Sequence, residues 1–210
     1  MKKISVIIPY KDEAKYIKDC VSTIPESAEI EILLVADGGE ETVPQWVFED
    51  QRISVILPEE GKGGVAACRN LGIQKARGEY VYFLDADDYV APDRLEKQYL
   101  FMLEHTEIGV LGSNVRYFDA VSGKMLFDSH VSHSHRSIWD DFLSASCGII
   151  HGSTLIRTSV FKKYEYNQKN VPAEDYELFS KMLKDGVKMY NLPMTLTFVR
   201  VHSNSVSNFL

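Results

Sequence analysis

The segment Glu79-Tyr-Val-Tyr-Phe-Leu-Asp-Ala-Asp-Asp88 restricts the fold more than any other, because an apolar run stops abruptly in three carboxylates, Asp85, Asp87 and Asp88. Tyr80 to Leu84 shows no polar alternation, so both of its faces must be buried, as in a parallel sheet covered by helices on either side. In open α/β sheets, ligands sit in the crevice outside the carboxyl ends of the strands. Clustered carboxylates at such a place need a cation. Mg²⁺ or Mn²⁺ suits them, because either ion keeps positions for water and substrate phosphates. The segment therefore predicts a metal-diphosphate site at a strand end.

The rest of the chain agrees with a single folded domain. It has 210 residues, 45% hydrophobic and 25% charged, an ordinary globular balance that excludes disorder. The formal net charge is -7 and no basic run stands out, which excludes a surface that tracks nucleic-acid phosphates. The cysteines Cys20, Cys68 and Cys147 are widely spaced and odd in number, and read as buried thiols in a reducing compartment. Met-Lys-Lys ahead of Ile4 to Ile8 resembles a leader, but Lys11, Asp12 and Glu13 end the apolar stretch too early, so the segment reads as a strand. No window is long enough to span a bilayer. The expectation is a cytoplasmic protein with at most peripheral contact at the inner face of the membrane.

From residue 1 to about 112 the pattern alternates strand and helix, which predicts βαβ units and a parallel sheet. Strands are expected at Ile4–Ile8, Glu31–Ala36, Ile53–Leu57, Tyr80–Leu84 and Ile108–Leu111. Helices are expected from Asp12 or Glu13 with Ile17, Cys20, Val21 and Ile24 on one face, over Thr42–Asp50, over Val65–Arg77 closed by Gly78, and over Asp93–Glu104 behind Pro92. Beyond 112 the pattern is less regular. A hairpin is expected around Val121-Ser-Gly123, a helical turn at Trp139–Leu143, a strand at Thr154–Arg157 and a helix at Asp175–Lys184 closed by Gly186. A last strand, Thr195–His202, would put Leu196, Phe198, Arg200 and His202 on one side. The ends at Pro9-Tyr10, Asp37-Gly38 and Asp85 to Asp88 then meet on one edge and form one pocket.

Five motifs now stand in order: Val6-Ile-Ile-Pro-Tyr-Lys-Asp-Glu13, Glu31-Ile-Leu-Leu-Val-Ala-Asp-Gly38, Ala67-Cys-Arg-Asn-Leu-Gly72, Gly78 to Asp88, and Glu174-Asp-Tyr-Glu-Leu178. Together they resemble the family 2 glycosyltransferases of GT-A fold, over residues 4 to about 207. The resemblance implies an α/β fold with a mostly parallel, helix-flanked central sheet, in one domain with a nucleotide-sugar donor half (1–112) and an acceptor half (113–210). It implies inverting, Mn²⁺- or Mg²⁺-dependent sugar transfer from a nucleotide diphosphate donor, with a UDP-sugar as the family prior. The acceptor would be a glycan or lipid-linked sugar, in surface polysaccharide synthesis. By position, Pro9, Tyr10 and Glu13 would line the nucleotide pocket and Asp37 would accept from the base, since a carboxylate only accepts. Asp85, with Ala86 beside it, would lie by the ribose or a metal-bound water. Asp87 would ligate the metal directly, His202 could approach it, and Asp175 would be the base. The chain departs from the family in carrying Ala36 before Asp37 and Asp12 where Asn is frequent.

Lys62 in its glycine loop and Arg69 offer cationic help to a departing diphosphate. Each also has a plainer reading, Lys62 in a surface loop and Arg69 in a helix-face ion pair. Asp37-Gly38 is equally a common turn pair, Asp175 a common helix N-terminal acid, and His202 an ordinary packed histidine. His130, His133 and His135, which His151 could join, have metal-like spacing but no accompanying periodicity, Cys or paired carboxylate, and read better as a polar acceptor-side loop. Two other functions compete. A sugar nucleotidyltransferase would need a basic glycine-rich loop where Pro9-Tyr-Lys-Asp12 stands, and a silent nucleotide-sugar-binding module would lack the base.

Overall fold

The computed structural model describes residues 3–202. At its centre β1 (Ile4–Tyr10) lies parallel to β2 (Ile30–Ala36) on one side and to β4 (Tyr80–Phe83) on the other, and β3 (Ile53–Ile56) extends the sheet beyond β2. All residues of β2 and β4 are buried, β4 as an unbroken apolar run and β2 with its one charged residue, Glu31, held by Ser5 and Arg77. Alternation within β1 divides the core: Val6 and Ile8 pack with Ile17, Cys20 and Val21 on one face, and Ile7 packs with Cys68, Leu178 and Met182 on the other.

The elements between these strands differ from the sequence reading in three instructive places. The first helix, α1 (Ile17–Ser22), starts late because residues 14–16 form turns, yet Ile17, Cys20, Val21 and Ile24 are all buried. Over 42–50 there is no single helix. Two 3-10 turns, Glu40–Thr42 and Gln45–Glu49, flank Pro44, whose ring and missing N–H interrupt any longer ladder, while Val43 and Val47 stay buried. Finally, α2 (Val65–Lys75) is not closed by Gly78. A Cβ at Gly78 would lie 2.6 Å from the Ser5 nitrogen, so this glycine permits two backbones to approach.

After β4 the chain forms β5 (Tyr89–Val90), α3 (Arg94–Glu104), β6 (Ile108–Asp119), β7 (Met125–Ser129), α4 (His135–Leu143), β8 (Leu155–Arg157), α5 (Glu174–Lys184) and β9 (Lys188–Val201). The sheet order is β3-β2-β1-β4-β8-β6-β9-β5, with β7 paired to β6 as the expected hairpin. β8 enters antiparallel to both β4 and β6, and β5 is antiparallel to β9. The sheet is therefore mixed beyond β4 rather than mostly parallel, within the α/β, helix-flanked class expected of a GT-A fold. β6 joins two segments read separately in the sequence, and register shifts between Ser113 and Val115 accommodate the join. α5 closes as predicted at Gly186, whose φ is +84°, with the Gly186 and Val187 N–H groups donating to Leu183 O and Met182 O. Among the described residues no helix is long and apolar enough to cross a membrane.

Two consequences of this topology build the site. The carboxyl ends of β1, β2 and β4 open on one edge, and the parallel run of β6 and β9 carries residues 199–202 back to that edge. Arg94, fully buried in α3, braces the floor: its guanidinium lies 4.1 Å from the Tyr82 ring and donates to Gly152 O at 3.0 Å and Thr197 Oγ1 at 2.6 Å. Burial lowers its pKa to about 10.

Candidate active site

A cavity of about 810 Å³ at this edge is lined by Pro9, Tyr10, Glu13, Asp37, Arg69, Asp85, Ala86, Asp87, Asp175 and His202. Asp37, Asp87 and Asp175, each from a different element, thus face one space. Of the residues that the resemblance or the cationic reading assigned to the site, Lys62 does not line it. It is exposed and bonds Glu59 Oε2 at 2.5 Å, which corrects its assignment to the nucleotide pocket. An exposed lysine keeps its hydration and a neighbouring glutamate at little cost.

The glycine loop acts through Gly63 instead. A Cβ there would fall 1.7 Å from Asp37 Oδ1, so the missing side chain is what lets the Asp37 carboxylate occupy its place. Asp37 is further held by its own N–H, which donates to Tyr10 O at 2.7 Å, and by Lys11 Nζ 3.9 Å from Oδ2. Tyr10 is anchored by donating to Thr42 O at 2.6 Å, leaving its ring as wall. Glu13 orders the same rim by accepting from the Lys11 and Asp12 N–H groups at 2.7 and 3.0 Å.

The turn after β4 carries the three aspartates, and each meets a different partner. Asp85 Oδ1 lies 3.3 Å from Arg69 Nη2. Asp87 Oδ2 lies 2.8 Å from His202 Nε2. Asp88 is buried and its Oδ1 accepts the Arg200 N–H at 2.9 Å. Burial, then the neighbouring Asp85 charge, raises the Asp87 carboxyl above the ordinary aspartate range, with His202 opposing. Burial and both neighbouring aspartates push Asp88 well above it.

Three protein ligands for an ion do not come together here. No three His, Cys, Asp or Glu among the described residues are grouped to hold an ion, because Asp85 turns to Arg69. Asp87 and His202 remain together. A carboxylate of the aspartate turn and an imidazole beside it, where negative charge is only partly compensated, fit an ion that would take its other ligands from a diphosphate and water, as Mg²⁺ and Mn²⁺ commonly do.

Asp175 sits in the first turn of α5, where its Oδ1 accepts the Tyr176 N–H at 2.6 Å. Burial raises its pKa, with the Glu174 charge adding and the Tyr176 N–H and Arg69 opposing. A carboxyl shifted upward in a cleft is a stronger base than a free aspartate. Beside it Glu174 is buried and paired with Arg69, Oε1 to Nη1 at 2.8 Å. Burial opposes the Arg69 charge, but Asp85, Tyr166, Glu174 and Asp175 outweigh it and hold the guanidinium above its ordinary value. Arg69 therefore ties the aspartate turn to the first turn of α5.

Several cavity residues escaped the sequence reading. Tyr16, Tyr117, His151 and Arg200 all line the cavity, and only Arg200 had a signal, the alternation along β9. His151 had been grouped with the other histidines, but it packs between Phe83 and Phe179 and bonds the Tyr166 hydroxyl through Nε2 at 2.7 Å. His135 instead opens α4 behind the Ser134–Ser137 capping box, and its Nδ1 accepts the Met189 N–H at 3.3 Å. Burial, helped by the Arg69 charge, lowers the His151 pKa well below 6.5. The unfolded chain then binds the extra proton first, so stability is retained above about pH 6.5 and falls below it by up to about 1.4 kcal/mol per pH unit. Urea titrations between pH 7 and 5 should show this slope shrink in His151→Gln; an unchanged slope would assign it to other groups.

Comparison with known proteins fits this geometry. The chain belongs to glycosyl transferase family 2, whose family model matches residues 5–165. It is 31% identical to an uncharacterized glycosyltransferase of Haemophilus influenzae over 99% of this chain and 83% of the relative. It is 28% identical to the putative teichuronic acid biosynthesis glycosyltransferase TuaG of Bacillus subtilis, over 98% of this chain and 81% of that one. S. aureus TarS, solved with UDP-GlcNAc, superposes with a TM-score of 0.78 at 22% identity, covering 97% of this chain and 60% of TarS 1-349. The chain also spans only 65% of a Methanocaldococcus jannaschii glycosyltransferase to which it is 26% identical.

Proposed function

We propose that the protein is a metal-dependent, inverting glycosyltransferase that moves a sugar from a UDP-sugar to a hydroxyl of a glycan or lipid-linked acceptor, in surface polysaccharide synthesis. The observation that carries this reading is the single cavity joining Asp37, the Asp87–His202 pair and the half-buried Asp175. Support for uridine comes from TarS, solved with UDP and with UDP-GlcNAc, and support for polysaccharide synthesis from the name of TuaG. A membrane-linked acceptor would be met by peripheral contact at the membrane face.

The roles follow from the chemistry of each group. Asp37 accepts from the imino N–H of the base, against the Tyr10 ring. Asp87 and His202 hold a divalent ion, which when bound supplies Lewis-acid neutralisation of the charge growing on the diphosphate. Arg69 stays protonated between Asp85 and Glu174 and keeps both carboxylates in place. Asp175 takes the proton of the acceptor hydroxyl as its oxygen attacks the anomeric carbon, on the face opposite the breaking C–O bond.

The test is calorimetric titration with UDP and Mn²⁺. Binding should require the ion, vanish with EDTA and disappear in Asp87→Ala, while Lys62→Ala leaves it unchanged. UDP binding of equal strength with and without Mn²⁺ would sink the metal-diphosphate reading and favour a silent binding module.

A further inference from the structure

The Asp87 side chain and main chain are gripped from the end of β9 and the residue just beyond it. His202 Nε2 lies 2.8 Å from the carboxylate, and Arg200, two residues earlier in β9, donates Nε–H to the Asp87 carbonyl oxygen at 2.8 Å. The Arg200 N–H meanwhile bonds Asp88 Oδ1, and its Nη2 donates to the Tyr89 hydroxyl. Arg200 is only 7% exposed and its guanidinium is boxed by rings, 4.4 Å from Tyr16, 4.6 Å from Tyr89 and 5.1 Å from Phe118. Tyr16 carries both groups, because the His202 imidazole also stacks on it with centroids 5.5 Å apart and planes 23° apart.

We propose that Tyr16 and Arg200 are positioning residues: Tyr16 is a ring platform beneath Arg200 and His202, and Arg200 holds the Asp87 main chain so that its carboxylate faces His202. The role rests on the reading that Asp87 serves a diphosphate-bound ion. A flat guanidinium on a ring face is restricted in a way that an ammonium on a flexible stem is not, and the attraction adds to the packing. A turn bearing three adjacent carboxylates repels itself, so it needs an external brace to keep one geometry without a ligand. The brace comes from β9 and the turn that leads into α1, which approach the aspartate turn from two directions. Tyr16 also faces the cavity, so the platform lies within reach of a bound diphosphate without being a catalytic residue.

The test uses two readouts on Tyr16→Phe, Tyr16→Ser and Arg200→Lys, each first checked for native circular dichroism. Hydrogen exchange of the unliganded protein reads the brace directly at the Asp88 and Arg200 amides. Titration of UDP with Mn²⁺ reads its consequence. Tyr16→Ser and Arg200→Lys should each speed exchange over 85–90 and weaken UDP binding by about tenfold, whereas Tyr16→Phe, which keeps the ring, should stay within about twofold. Wild-type exchange and affinity in Tyr16→Ser and Arg200→Lys would overturn the proposal, as would a Tyr16→Phe as impaired as Tyr16→Ser. Should the wild type itself bind no UDP with Mn²⁺, the functional reading fails, and the exchange pattern still decides whether Tyr16 and Arg200 brace the turn. If Arg200→Lys does not fold, the two Tyr16 variants carry the decision.

Discussion

Asp175→Asn should lower turnover by about 10² to 10⁴, the range a general base contributes, while leaving Mn²⁺-dependent UDP binding within about twofold. Asn keeps the size of the side chain, and its amide oxygen can still accept the Tyr176 N–H that Asp175 Oδ1 now accepts, so the first turn of α5 is preserved. What it loses is the ability to take a proton. The sign of the pH dependence follows from burial. Because the Asp175 pKa is raised, the ionised, active form accumulates only at a pH above the ordinary aspartate range, so the acid limb of kcat is displaced upward. Activity rises with pH through that limb, and the limb should vanish from the residual activity of Asp175→Asn. Single-turnover rates over a pH series, with UDP titrations alongside, separate this from a binding defect. Equal loss of UDP affinity and turnover would remove Asp175 from the role of base.

Arg69→Ala should destabilise the fold by about 3–5 kcal/mol, a large share of what a domain of this size has. The reason is the partner left behind. Glu174 is buried, its Oε2 has no hydrogen-bond partner among the described residues, and Oε1 depends on Arg69. Removing the guanidinium leaves a buried carboxylate uncompensated and also releases Asp85. Glu174→Gln in the Arg69→Ala background should recover part of the loss, because a neutral amide is cheaper to bury. Urea denaturation of the four proteins of this cycle measures the coupling. A single-variant loss below about 1 kcal/mol would mean that solvent reaches the pair and that Arg69 is an ordinary surface ion pair.

These two effects meet in one place, because Arg69 carries the charge that balances both the aspartate turn and the acids of α5. Asp85 and Glu174 lie 89 positions apart in the chain, and one guanidinium bridges them. The negative charge of the cavity is thus only partly compensated from within. Asp87 and Asp88 carry raised pKa values beside it, which is the electrostatic condition under which a bound cation gains most.

The legible part of this protein was written in local patterns. Unbroken apolar runs at 32–36 and 80–84 marked strands buried on both faces, helical spacing marked the inward faces of α1 and α5, and Asp85 to Asp88 at a strand end marked the edge where ligands bind. Such features are visible because burial on two faces and helical periodicity leave a mark within a dozen residues. Other features were not local. Pro44 split an expected helix, β8 slipped antiparallel between β4 and β6, and Lys62 turned to Glu59 rather than to the cavity. Gly63 drew no notice as an individual residue because its purpose, room for Asp37, involves a side chain 26 positions earlier.

By itself the sequence determined the α/β class, the edge at which the site lies, and the acids Asp37 and Asp87 that line it, because strand burial and carboxylate clustering are decided by neighbours along the chain, while Asp175 was named through the family resemblance. Only the tertiary structure decided which acid meets which partner. Asp85 pairs with Arg69, Asp87 with His202 and Asp88 with the backbone of Arg200 because β9 and α2 bring distant groups to one turn. Charge pairing depends on distances of a few ångströms, and folding alone sets those between residues more than a hundred positions apart.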